Sequence, residues 1–134
     1  FFGFTSSTSA IATTQETRAL TNMFGIGNGL GETTLRTYQN DGSGNATETN
    51  LGVNFPANDS TMVYDLTIFA KSNDDRIYWQ ITNLTNGEVA TGEWLEIDLP
   101  ISTTFLTWHC YMNNGGTAAA VNFDVMRIYT ETDY

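Results

Sequence analysis

The stretch that most constrains this chain runs from Met62 to Leu84, MVYDLTIFAKSNDDRIYWQITNL. Met62, Tyr64, Leu66, Ile68 and Ala70 alternate with Val63, Asp65, Thr67 and Phe69. Beyond a polar break, Lys71-Ser72-Asn73-Asp74-Asp75, the residues Ile77, Trp79 and Ile81 alternate with Tyr78, Gln80 and Thr82. A period of two sends successive side chains to opposite faces, so the spacing predicts two half-buried strands joined by a hairpin loop. This pair is expected to form the middle of an antiparallel β-sandwich.

The rest of the chain reads in the same way. Phe1–Phe4 predicts a short first strand, and Thr5–Thr21 a long loop with weak helical character around Gln15–Leu20. Asn22–Gly27 is a strand whose Gly25 marks a bulge or a close backbone approach. Asn28-Gly29-Leu30-Gly31 is turn chemistry, followed by a strand over Thr33–Gln39 with Leu35, Thr37 and Gln39 opposite Arg36 and Tyr38. Asn40–Asn45 is a hairpin tip, rich in residues that accept positive φ, and the chain returns over Ala46–Leu51. Asn86-Gly87 joins the Trp79 strand to Glu88–Ile97. Phe105–Met112 places Leu106, Trp108, Cys110 and Met112 opposite Phe105, Thr107, His109 and Tyr111, and Asn113–Gly116 turns the chain towards a last strand over Ala120–Thr130. About nine short strands without a convincing helix point to a single all-β domain over residues 1–134, an antiparallel sandwich that is jelly-roll-like.

Composition narrows the function classes. A chain of 134 residues with 40% hydrophobic residues supports one real core. Its net charge is −10, and Arg18, Arg36, Lys71, Arg76 and Arg127 are scattered, so no basic patch suits nucleic acid or an anionic membrane. Cys110 is alone and forms no internal disulfide. No apolar run reaches the roughly 18–20 residues of a membrane-spanning helix. No signal peptide is visible, and the opening at Phe1 without an initiator Met reads as a fragment of a longer polypeptide or a processed product.

Several stretches, in order and spacing, resemble a module near the carboxyl end of tailed-bacteriophage tail-fibre and tailspike proteins. They are Leu20–Gly27, Gln39–Thr47, Asn50–Pro56, Tyr64–Phe69, Thr82-Asn83-Leu84 with Gly87, Leu99-Pro100, and the ending Ile128–Tyr134. The resemblance spans nearly the whole chain. It implies a β-sandwich of the concanavalin or carbohydrate-binding-module type, in a virion component that contacts the host surface as part of a homotrimer. It supplies no binding residues position by position, and Trp79, Trp94, Trp108 and His109 depart from the pattern.

The chemistry of individual motifs argues for binding rather than catalysis. Glu96-Ile97-Asp98 resembles the start of the alternating carboxylates of laminarinase-type glycosidases, but the third position is Pro100. His109 is the sole histidine, and its neighbour Cys110 points to the other face, so no dyad forms. Asp41–Asn45 opens like a calcium loop, but Ala46 and Gly52 stand where that loop needs Gly and Glu, and Asp74-Asp75 offers too few oxygens alone. No metal, cofactor or catalytic residue is therefore assigned.

Aromatic residues on polar strand faces carry the remaining signal: Tyr38 beside Arg36, Tyr78 beside Gln80, Trp94 between Glu88 and Glu96, and Tyr111 beside His109. A flat ring stacks on the apolar face of a sugar while neighbouring amides and carboxylates bond its hydroxyls. Arg36, Tyr38, Tyr78, Gln80, Trp94, His109 and Tyr111 are thus candidate contacts to a host cell-surface polysaccharide. The same rings also suit packing between subunits or a second-sheet core. The leading expectation is a non-enzymatic phage attachment module. A trimerising or tip-capping unit without a ligand, and an accessory domain of a polysaccharide depolymerase, are the alternatives.

Overall fold

The computed structural model describes residues 1–9, 11–12, 14–113 and 122–131. Among them are eight strands: β1 (Phe2–Thr5), β2 (Met23–Gly27), β3 (Arg36–Asn40), β4 (Thr47–Asn50), β5 (Tyr64–Ala70), β6 (Arg76–Asn83), β7 (Val89–Leu95) and β8 (Thr107–Cys110). They form an all-β sandwich of two antiparallel sheets, a large one ordered β4-β3-β2-β1-β8 and a small one ordered β5-β6-β7. The chain crosses between sheets after β4 and returns after β7.

The Met62–Leu84 alternation holds in three dimensions. Leu66 pairs with Ile81 and Ile68 with Trp79 on the inward face, whereas Thr67 pairs with Gln80 and Phe69 with Tyr78 on the outward one. The break between the strands is a turn in which Asp74 N–H donates to the Lys71 carbonyl and Asn73 takes a φ of 59°.

The core between the sheets gathers Phe24, Ile26, Phe55, Trp79, Ile81, Trp94 and Leu99. An aromatic chain threads it, with ring centroids 5.2 Å apart for Phe4–Phe24, 5.5 Å for Phe24–Trp94 and 6.1 Å for Trp79–Trp94. Gly92 makes room: it lies across from Trp79, and a Cβ there would sit 2.4 Å from the Trp79 Cζ2.

A second core lies on the far face of the large sheet. Leu20, Met23, Tyr38 and Ala46 are buried there, with Phe1, Ile11 and Tyr111 packed against them. The segment between β1 and β2 closes over this face, held by Ala46 N–H to the Arg18 carbonyl (2.7 Å) and the Thr17 hydroxyl to the Asn28 carbonyl (2.8 Å). Its helical character amounts to one 3-10 turn, Thr17–Ala19. Gly25 is no bulge, because its pairings with Gly3 and Tyr38 are regular. It is a close approach, where the Phe1 ring would meet any Cβ at 2.7 Å.

Two expectations fail. The strand over Glu88–Ile97 stops at Leu95, and Glu96–Asp98 form a 3-10 turn. Asn122–Thr130 form no strand, and all nine residues are exposed (Ala120, Val121 and Asn114–Gly116 lie outside the described residues). The apolar alternation there is real in the sequence, but a strand needs a neighbour to satisfy its backbone, and no described strand lies alongside.

Candidate functional site

The outward face of the small sheet carries a shallow groove of about 460 Å³, lined by Thr67, Phe69, Tyr78, Gln80, Thr91 and Glu93, with Trp79 and Gly92 completing it. Strand register builds it as two rows across β5, β6 and β7. One row is Phe69, Tyr78 and Glu93; the next is Thr67, Gln80 and Thr91. Neighbouring same-face residues on paired strands lie close enough to act together. The groove therefore sets two aromatic rings and a carboxylate beside two hydroxyls and an amide.

Local contacts hold Tyr78 in place. Its hydroxyl donates to Asp74 Oδ2 at 3.1 Å, and the Lys71 ammonium lies 4.7 Å from the ring centroid. Both partners come from the hairpin loop between β5 and β6, so the loop orients the ring. At the other side of the row, Arg76 reaches Glu93 with contacts of 2.9 and 3.0 Å. Arg76 also lines a smaller hollow of about 280 Å³ with Asp75, Leu95, Glu96 and Ile97. Phe69 is 51% exposed, a large apolar ring left open to solvent.

Of the seven predicted contacts, the structure brings only Tyr78 and Gln80 together in this groove. Trp94 is 2% exposed and packs between Phe24 and Trp79, which removes it as a ligand contact. Its parity with Glu88 and Glu96 misleads, because both glutamates lie outside β7, whereas Ala90, Gly92 and Trp94 within it face inward. Tyr38 is 1% exposed, beneath the segment that closes the second core. Its hydroxyl donates to Glu32 Oε2 at 3.0 Å, and burial together with that carboxylate pushes it above the ordinary tyrosine range.

Arg36 shares the Tyr38 face as expected, but is committed to Glu32 at 2.7 Å and Glu48 at 3.3 Å. Tyr111 packs on Phe1 with centroids 5.8 Å apart, and its hydroxyl lies 3.5 Å from Thr17 Oγ1. His109 is half-buried, its Nε2 lying 2.7 Å from the Ser7 carbonyl and 3.0 Å from Thr107 Oγ1. These side chains hold the fold on the covered side of the large sheet.

Six lining residues were missed by sequence reasoning: Thr67, Phe69, Thr91 and Glu93 on the outward face, with Trp79 and Gly92. For Phe69 a signal existed, because it shares parity with Asp65 and Thr67. Thr91 and Glu93 needed the register between β6 and β7.

The remaining motifs resolve into loop architecture. Glu96 and Asp98 sit on one 3-10 turn, so their side chains are not aligned along a strand as a cleft-lining carboxylate pair would be. Asp98 Oδ1 instead lies 3.4 Å from the Asp41 N–H. Asp41 accepts from the Ser43 hydroxyl at 2.6 Å and the Ser43 N–H at 2.9 Å, bonds that hold its carboxyl below the usual range. Among the described residues no group of three or more His, Cys, Asp or Glu is placed to hold a metal ion.

A scan against protein-family models and searches of curated proteins and of solved structures find no significant match to this chain.

Proposed function

We propose that this chain is a non-enzymatic attachment module of a phage tail fibre or tailspike, which binds host-surface glycan in the groove on the small sheet. The phage assignment rests on the sequence resemblance. The glycan assignment rests on one observation: Phe69 and Tyr78 stand side by side in a row that ends at the Glu93 carboxylate, flanked by the hydroxyls and amide of Thr67, Gln80 and Thr91. An apolar ring face with convergent polar groups is the chemistry that recognises a pyranose.

The groove is shallow and open, so each site binds weakly. In the homotrimer that the resemblance implies, three such sites gain roughly 10²–10⁴ in avidity when receptor spacing permits. A net charge of −10 repels polyanions, so neutral or amidated sugars are the favoured class.

The test is a glycan array probed with the native chain and with Tyr78→Ala and Phe69→Ala. Binding to neutral or N-acetylated glycans that both substitutions abolish supports the reading. Tighter binding to polyanionic capsule, or binding unaffected by either substitution, refutes it.

A further inference from the structure

Among the described residues the sandwich has four sheet edges, at β4, β8, β5 and β7. Three carry charge within the strand: Glu48 in β4, Asp65 in β5 and Glu93 in β7. Charges on an edge strand discourage pairing with another chain. β8, Thr107-Trp108-His109-Cys110, has no Asp, Glu, Lys or Arg, and neither does any residue from Leu99 to Asn113. In a chain with fifteen acidic and five basic residues, that is a long uncharged stretch, and it leaves this edge, alone among the four formed by described strands, without a strand charge.

The surroundings of this edge are apolar. Trp108 is 36% exposed and meets Phe2 edge-on at 5.2 Å, while Phe105 is 92% exposed and Met112 46%. The small sheet has three strands against five, and Phe2, Trp108 and Cys110 are left partly open on this flank.

The same chain holds a segment suited to that edge. Asn122–Thr130 alternates Phe123 and Val125 with Asn122 and Asp124, then continues through Met126, Ile128 and Tyr129. These residues favour strands, yet they pair with no described strand, and Met126 is 87% and Ile128 52% exposed. Among the described residues, no strand pairs with this segment and none lies on the outer side of β8.

We propose that Asn122–Thr130 is a donor strand that adds to the free edge of β8 in a second copy of this chain. Each copy then gives one strand and accepts one, so a closed assembly leaves no copy unsatisfied. Pairing at the other three edges would bury a strand charge, Glu48, Asp65 or Glu93, which directs association to the uncharged one. This inference does not depend on the glycan reading.

The test is light scattering of the full chain beside a Val125→Asp/Ile128→Asp double variant, at matched concentration. Both side chains are exposed in the single chain, so the variant is expected to keep its fold, with circular dichroism as the check. The expected result is an oligomer that the double variant reduces to monomer. A short bismaleimide applied to an Ile128→Cys variant then reports the partner of the native Cys110 thiol. Covalent dimers and larger species on a denaturing gel support the proposal. A monomeric full chain, an oligomer indifferent to the double variant, or a cross-link closed within one chain each overturn it.

Discussion

The outward faces of the two sheets are built from similar residues and meet opposite fates. On the large sheet, Arg36, Tyr38, His109 and Tyr111 lie beneath or beside the segment between β1 and β2, and their polar atoms are bonded within the protein. On the small sheet, Phe69, Tyr78 and Gln80 line a groove that no described segment covers. Tyr38 and Tyr78 each pair a ring with a nearby carboxylate, Glu32 for one and Asp74 for the other. Only a covering segment separates a structural tyrosine from one available to ligand. A polar face with an aromatic on it is thus evidence for a site only once its cover is known.

The sharpest way to test this division is to remove rings from each environment. Trp94→Ala, in the core between the sheets, is expected to cost about 3–5 kcal/mol, read as a lowered urea midpoint. That is a large fraction of the 5–15 kcal/mol available to a typical domain. Gly25→Ala, under the covered face, drives a methyl to 2.6 Å from the Phe2 carbonyl oxygen and 2.7 Å from the Phe1 ring. Overpacking of this kind costs about 1–3 kcal/mol, and equal stability of the variant would break the claim that Phe1 packs on the sheet there.

Titration sharpens the comparison further. Burial, with a nearby carboxylate, raises the hydroxyl of Tyr38, and burial, with Asp59, raises that of Tyr64 to about 12 from an ordinary 10.0. The folded state holds these protons more tightly than the unfolded chain, so the unfolded tyrosines ionise first. Their contribution is whole below pH 10; that of Tyr64 is lost as the pH rises to its value of about 12, and that of Tyr38 goes on falling beyond it. Stability measured from pH 9 to 12 should therefore fall, and Tyr64→Phe or Tyr38→Phe should flatten the decline. At neutral pH, Tyr38→Phe is expected to cost about 1 kcal/mol for the lost bond to Glu32.

The smallest stability effect belongs to the open face. Tyr78→Ala should shift the unfolding free energy by no more than about 0.5 kcal/mol while abolishing glycan binding. A large loss of stability would mean that Tyr78 is as structural as Tyr38, and the contrast between the faces would collapse.

Much of the fold was legible. Seven of the predicted strands appear close to their expected bounds, because alternation and turn residues act over a few neighbours. The eighth, β7, ended early: Leu95 and Ile97 look like strand residues, but Glu96–Asp98 turn the chain out of the sheet. The expected last strand did not form within the described residues, since apolar alternation cannot create the neighbour that a strand requires. For the site, Tyr78 and Gln80 were legible as outward residues of a strong alternation, whereas Thr91 and Glu93 depended on the pairing of β6 with β7.

By itself the sequence determined most of the strands, where hairpins such as Asn86-Gly87 turn, and which residues within a strand share a face. These follow from the pleat of the backbone and the φ that turn residues accept, both local properties. The tertiary structure alone decided which face meets water. That choice depends on elements distant in sequence: Ile11 and Leu20 packing with Tyr38, Phe24 and Trp79 closing on Trp94, and nothing among the described residues closing over Phe69 and Tyr78.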